Sequence, residues 1–160
     1  MAIAAGDRVP NVDVGVMGKK GPETITTDEI FGGKKVLIFG LPGAFTPTCD
    51  AAHLPGYVVL NDEFKAKGVD TIVCISVNDP WVMDAWGKSQ NVEDRILMIG
   101  DGNATFTEAI GLSIDRTPGN MGVRSQRYAM IVDDGIVSQI NIEEGPAFDV
   151  SDAETMLALL

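Results

Sequence analysis

Cys49 is the residue of this chain best placed to do chemistry. The segment Leu41-Pro42-Gly43-Ala44-Phe45-Thr46-Pro47-Thr48-Cys49 follows an apolar run, Val36 to Phe39 and Gly40, that reads as a buried strand. It leads into a helical pattern that begins at or just before the cysteine. A thiol in the first turn of a helix faces unpaired backbone N–H groups and the positive end of the helix dipole, and both favour thiolate over thiol. Pro42 and Pro47 stiffen the loop, and Thr46 places a hydroxyl three residues before the sulfur. His53 follows one helical turn later on the same face, either as a base for the thiol or as a positioning and packing residue. Packing is the simpler reading. Asp50 brings a negative charge that suits a helix N-terminus but opposes a neighbouring thiolate.

The elements around this loop read as alternating strands and helices. Val12 to Val16 alternates as a short strand ended by Gly18-Lys19-Lys20-Gly21-Pro22, and Thr26 to Phe31 is a capped helical turn closed by Gly32-Gly33. The helix after Cys49 is expected from about Thr48 to Lys67, kinked by Pro55 within it. Thr71 to Val77 is a second buried strand, and Asn78-Asp79-Pro80 caps a helix carrying Trp81, Met83 and Trp86. Ile96 to Ile99 is strand-like, Ala104 to Ile110 is a helix stopped by Gly111, and Thr117 to Ser125 reads as loop. Arg127 to Val132 and Ile136 to Ile142 flank Asp133-Asp134-Gly135, a strong hairpin signal. Ser151-Asp152-Ala153-Glu154 is a capping box that opens a last helix through Leu160. The pattern predicts an α/β protein with a central mixed β-sheet flanked by helices, and a reactive cysteine between strand and helix matches the layout of a thioredoxin-like fold.

Composition narrows the function classes. The 160 residues suit a single domain, 1–160. Twelve Lys and Arg against 23 Asp and Glu give a formal charge of −11, which argues against nucleic acid and anionic membrane as partners. No apolar stretch approaches the length of a membrane span, and the N-terminus lacks the pattern of a signal peptide. Two cysteines do not make a disulfide framework, so a reducing, cytoplasmic setting is expected. One histidine and two cysteines leave too few soft ligands for a four-ligand zinc site, so no metal is expected.

The stretch from Pro42 to Cys49 resembles the active-site signature of the peroxiredoxins, in the form found in the type II or type 5 (atypical) subgroup. His53-Leu54-Pro55-Gly56-Tyr57, Cys74 to Pro80 and Arg124-Ser125-Gln126-Arg127-Tyr128 resemble further stretches of that subgroup, and the likeness runs from about Gly6 to the C-terminus. The resemblance implies a thiol peroxidase that reduces hydrogen peroxide and organic hydroperoxides without a cofactor and helps maintain redox homeostasis. It implies that Cys49 is the peroxidatic cysteine, its thiolate becoming a sulfenic acid. Thr46 would bond thiolate and peroxide, Pro42 would shield the site from water, and Arg127 would hold the thiolate and the substrate oxygens. The residues alone do not choose Arg127 over Arg124, Arg116 or Arg95; that choice rests on the resemblance. Phe45 and Trp81 lie in the region that forms a dimer contact in the subgroup, which implies a homodimer.

Cys74 has two readings. It is a candidate resolving cysteine that condenses with oxidised Cys49, as in some plant relatives, or it is an inert thiol of the core. No cysteine follows it, so the C-terminal resolving cysteine of many animal relatives is missing. An inert Cys74 requires an external reductant, glutathione with glutaredoxin or thioredoxin. Two further functions compete: a redox sensor or holdase built on the same cysteine, and a disulfide reductase. The latter is disfavoured because Ala52 stands where a Cys-x-x-Cys pair needs its second sulfur.

Overall fold

Strand β3 (Lys35–Leu41) alternates its side chains between two apolar layers, and this alternation sets the architecture. Leu37, Phe39 and Leu41 enter one core, while Val36 and Ile38 enter the other. The computed structural model describes all residues, 1–160. Six further strands join β3 in one sheet: β1 (Asp13–Gly18), β2 (Gly21–Thr26), β4 (Thr71–Ser76), β5 (Leu97–Gly100), β8 (Tyr128–Asp133) and β9 (Ile136–Ile142). Their order is β2-β1-β5-β4-β3-β8-β9. β3, β4 and β5 run parallel, and the outer strands pair antiparallel. The central strands are covered on both faces, which is why they read as unbroken apolar runs.

Helices α2 (Leu54–Val59), α3 (Asn61–Ala66), α4 (Pro80–Ser89) and α6 (Ala153–Leu157) cover the face that holds Phe39, Cys49 and Cys74. α1 (Thr27–Phe31) and α5 (Thr105–Ala109) cover the other through Ile30, Phe31 and Phe106. The mixed sheet flanked by helices is the architecture the sequence predicts. None of the helices is long and apolar enough to cross a membrane.

Three local expectations need correction, and one strand is added. The first strand ends at Gly18 as expected, but the residues after it turn the chain into β2, a strand the sequence does not predict, which pairs with β1 along its whole length. The expected single helix from Thr48 to Lys67 is segmented, with a π-helical turn over Cys49–His53, then α2, then α3 after a break at Leu60. Pro55 accounts for the π turn. It has no N–H to donate and its ring would press on the carbonyl of Ala51 in an α-helix, whereas here Leu54 N–H reaches back to the Cys49 carbonyl. The expected loop from Thr117 to Ser125 contains β7 (Val123–Ser125), paired with β6 (Ser113–Asp115). The last helix is capped by Asp152, which accepts from Thr155 N–H, and not by Ser151, whose hydroxyl goes to Glu143.

At the C-terminal end of β3, Gly40 faces Tyr128 on β8, and the fully buried tyrosine ring occupies the space a Cβ would take. This close passage leads directly into the loop that carries the candidate site.

Candidate active site

The loop after β3 is pinned from two sides before it reaches Cys49. Asn78, just past β4, accepts from Ala44 N–H at 3.0 Å and from the Ser76 hydroxyl at 2.7 Å. Arg124 donates from Nη1 to the Pro42 carbonyl at 3.2 Å and from Nε to the Met121 carbonyl at 2.8 Å. Phe45 adopts φ +64°, a left-handed conformation that a bulky residue holds only when its surroundings impose it. Helical backbone starts at Pro47, so Cys49 sits in the first turn as expected, and Asp50 N–H donates to the Thr46 carbonyl at 2.8 Å.

Arg127 meets the sulfur. Its Nη2 donates to Cys49 Sγ at 3.2 Å, and its Nη1 donates to His53 Nδ1 at 2.8 Å. His53 is fully buried, and its Nε2 lies 3.1 Å from the Ser151 carbonyl. A carbonyl only accepts, so Nε2 carries the proton and Nδ1 is the acceptor for Arg127. Burial, reinforced by the Arg127 charge, pushes the His53 pKa down to about 3. A neutral imidazole whose free nitrogen is already bonded to a guanidinium is a poor base, so His53 positions Arg127.

Pro42, Thr46 and Arg127 line one cavity of about 330 Å³, together with Arg116, Met121 and Pro146. Cys49 is fully buried and is not part of that lining. Thr46 departs from expectation. Its hydroxyl donates to the Gly43 carbonyl at 2.7 Å and not to the sulfur, which leaves its oxygen free to accept a hydrogen bond from a bound molecule. A larger cavity, about 680 Å³, lies at the opposite ends of the central strands around Thr71, Val92 and Leu97 and contains neither cysteine. No group of three or more His, Cys, Asp or Glu converges as metal ligands would.

The chain matches the Redoxin family model over residues 4–157. It is 43% identical over 163 residues to "Peroxiredoxin-2E, chloroplastic" of Arabidopsis thaliana, covering 99% of this chain and 70% of that protein. It is 42% identical over 159 residues to Peroxiredoxin-2B of the same plant, covering 99% and 98%. A crystal structure of reduced Prx3 in complex with hydrogen peroxide from Vibrio vulnificus superposes with a TM-score of 0.95 at 54% identity, covering 98% of each chain. The chain belongs to the Redoxin family, among the peroxiredoxins. Its fold is thioredoxin-like, and as a peroxiredoxin it is a thiol peroxidase.

Within this peroxiredoxin the side chain of Asp50 is engaged by α4 and the residue that follows it. Its carboxylate accepts from Trp86 Nε1 and Gln90 Nε2, each at 2.8 Å, tying the reactive turn to α4. Cys74 lies inside β4, between Phe39 of β3 and Met98 of β5, and belongs to the same core layer as Cys49. Both cysteines are free thiols. Burial pushes the Cys74 thiol well above its ordinary range, and proximity to Cys49 adds to the effect.

Of the four arginines weighed, Arg127 alone reaches the sulfur. Arg124 braces the loop, Arg116 borders the cavity, and Arg95 is exposed beside Glu93. Sequence reasoning missed Asn78, Ser151 and Glu143. Their contributions run through hydrogen bonds to residues distant in the chain, and only Asn78 carried a local signal, its place ahead of Asp79-Pro80.

Proposed function

We propose that Cys49 is the peroxidatic cysteine and that Arg127, Thr46 and Pro42 form the rest of its reaction site. The observation that carries this reading is the 3.2 Å contact between Arg127 Nη2 and Cys49 Sγ at the start of a helix. A permanently charged guanidinium favours thiolate and offers further donors to an anionic leaving group. The thiolate attacks the distal oxygen of the hydroperoxide, the O–O bond breaks, and Cys49 becomes a sulfenic acid. The departing alkoxide or hydroxide takes a proton and leaves as alcohol or water. Thr46 accepts a hydrogen bond from the attacked hydroxyl, which keeps its hydrogen in the sulfenic acid, and Pro42 keeps bulk water off the sulfur. The relative crystallised with hydrogen peroxide supports that substrate for this chain.

Regeneration follows a one-cysteine cycle. Cys74 would have to leave a strand paired on both sides and lose a proton that burial holds. An external thiol therefore attacks the sulfenic acid, releasing water and forming a mixed disulfide that a second thiol reduces. Glutathione with glutaredoxin, or thioredoxin, supplies these thiols. The two free cysteines suit a reducing compartment such as the cytoplasm. Residues 1–160 act as one domain, since the single main sheet draws strands from Asp13 through Ile142.

A second copy of the chain covers the aromatic surface beside the site. Phe45 and Trp81 are 52% and 63% exposed, unusual for such large apolar residues, and the Phe45 ring also packs 6.3 Å from that of Trp86. Sedimentation of the wild type as a dimer, and of a Phe45→Ser/Trp81→Ser variant as a monomer, checks this. The catalytic assignment is tested by peroxide consumption with either reductant. Cys49→Ser abolishes turnover, Cys74→Ser retains it, and turnover surviving in Cys49→Ser rejects the assignment.

A further inference from the structure

Glu143 follows β9 directly, and its own N–H donates to the Arg127 carbonyl at 2.9 Å. Its side chain is buried and accepts from the backbone N–H groups of Asp149, Val150 and Ser151 at 2.8–3.0 Å, and from the Ser151 hydroxyl at 2.7 Å. Burial alone raises a carboxyl pKa, but these bonds outweigh it and hold Glu143 below its ordinary range. One carboxylate thus gathers three consecutive residues of the loop from 144 to 151. The other side-chain tie between strand and loop is Asn141 Nδ2 to the Val150 carbonyl at 2.8 Å.

That loop delivers two groups to the reaction site. The Ser151 carbonyl accepts from Tyr57 at 2.7 Å and fixes the His53 tautomer, so that Nδ1 faces Arg127. Phe148 lies 4.9 Å from the His53 ring and 5.7 Å from the Arg127 guanidinium carbon. We propose that Glu143 is a positioning residue for the peroxide reaction, fixing Ser151 and Phe148 so that His53 holds Arg127 against the Cys49 sulfur. The proposal rests on the reading of Cys49 and Arg127 as the reacting pair. Glu143 also borders the cavity, but its oxygens are engaged by the loop.

Glu143→Gln tests it, because the amide turns one acceptor oxygen into a donor facing N–H groups. The chain has one histidine, so the imidazole nitrogen resonances belong to His53 without ambiguity. In the wild type they report the Nε2–H tautomer. In Glu143→Gln they report a mixture, and the single-turnover rate with hydrogen peroxide falls about 10- to 100-fold. In an Arg127→Lys background the same change costs less than about twofold, because the residue acts through Arg127. Glu143→Asp, with the charge kept and the reach shortened, provides the same readouts should the glutamine variant not fold. An unchanged tautomer with a wild-type rate, or a full multiplicative loss on top of Arg127→Lys, overturns the proposal. Arg127→Lys alone reacting at the wild-type rate would instead reject the underlying role of Arg127, while the tautomer still reports what Glu143 holds.

Discussion

Arg127 Nη2 lies 3.2 Å from Cys49 Sγ although 78 positions separate the two residues, and the other arm of the same guanidinium rests on His53. The planar fork spans both partners at once, which an ammonium on a flexible stem cannot do in the same fixed geometry. Arg127→Lys is therefore expected to slow the reaction with hydrogen peroxide, and Arg127→Met to slow it by about 10²- to 10³-fold, the usual effect of losing a donor at a developing anion. Stopped-flow single turnovers check this.

Acid should weaken the fold through His53. Its folded pKa of about 3 lies below the ordinary 6.5, so between those values the unfolded chain binds a proton that the folded chain refuses. Stability contributed by the neutral imidazole is complete above about pH 6.5 and is lost progressively as pH falls towards 3. The total is on the order of several kcal/mol, at about 1.4 kcal/mol per unit. Glu143 acts in the same direction lower down: its contribution is present above 4.5 and disappears as pH falls through its lowered folded value. Urea midpoints measured from neutral pH to about pH 4 should fall steeply in the wild type and less so in His53→Gln.

Asp50 is expected to matter for stability. Asp50→Ala leaves the indole N–H of the fully buried Trp86 without its partner and reduces the hold of Gln90 on this turn to its bond with the Asp50 backbone carbonyl at 3.1 Å. Losing bonds to a charged acceptor predicts a destabilisation of about 1.5–3 kcal/mol, measured by denaturant titration. A loss below about 0.5 kcal/mol would mean that α4 is not anchored through this carboxylate.

Cys74 should behave as core. With its side chain fully buried and its thiol held protonated, it should resist alkylation in the native protein and react only on unfolding. Cys74→Ser should react with peroxide at close to the wild-type rate and be destabilised, because the hydroxyl enters an apolar layer.

Local signals make a large part of this protein legible in its sequence. The apolar run of β3, the proline-framed loop and Cys49 at a helix start are contiguous in the chain, as are the Asp79-Pro80 cap and the Asp133-Asp134-Gly135 hairpin. β2 was hidden because Gly21 and Pro22 signal a turn, and the strand they open is polar and largely exposed. β6 and β7 are three residues each, too short for a period to register among glycines. Pro55 announced a disturbance of the helix but not that a π turn would absorb it. The deeper limit was long-range pairing. Nothing near Arg127 or Arg124 tells which one turns toward the sulfur, and the link from Glu143 through Ser151 to His53 exists only once β9 lies beside β8.

The most direct measurement is the intact mass of the reduced protein after one equivalent of hydrogen peroxide, followed by mapping of both cysteines. The expected result is one added oxygen located at Cys49, with Cys74 still a free thiol. An unchanged mass, or oxygen placed anywhere but Cys49, would contradict the assignment of the reacting sulfur. Loss of two hydrogens with a Cys49–Cys74 disulfide would contradict the one-cysteine cycle.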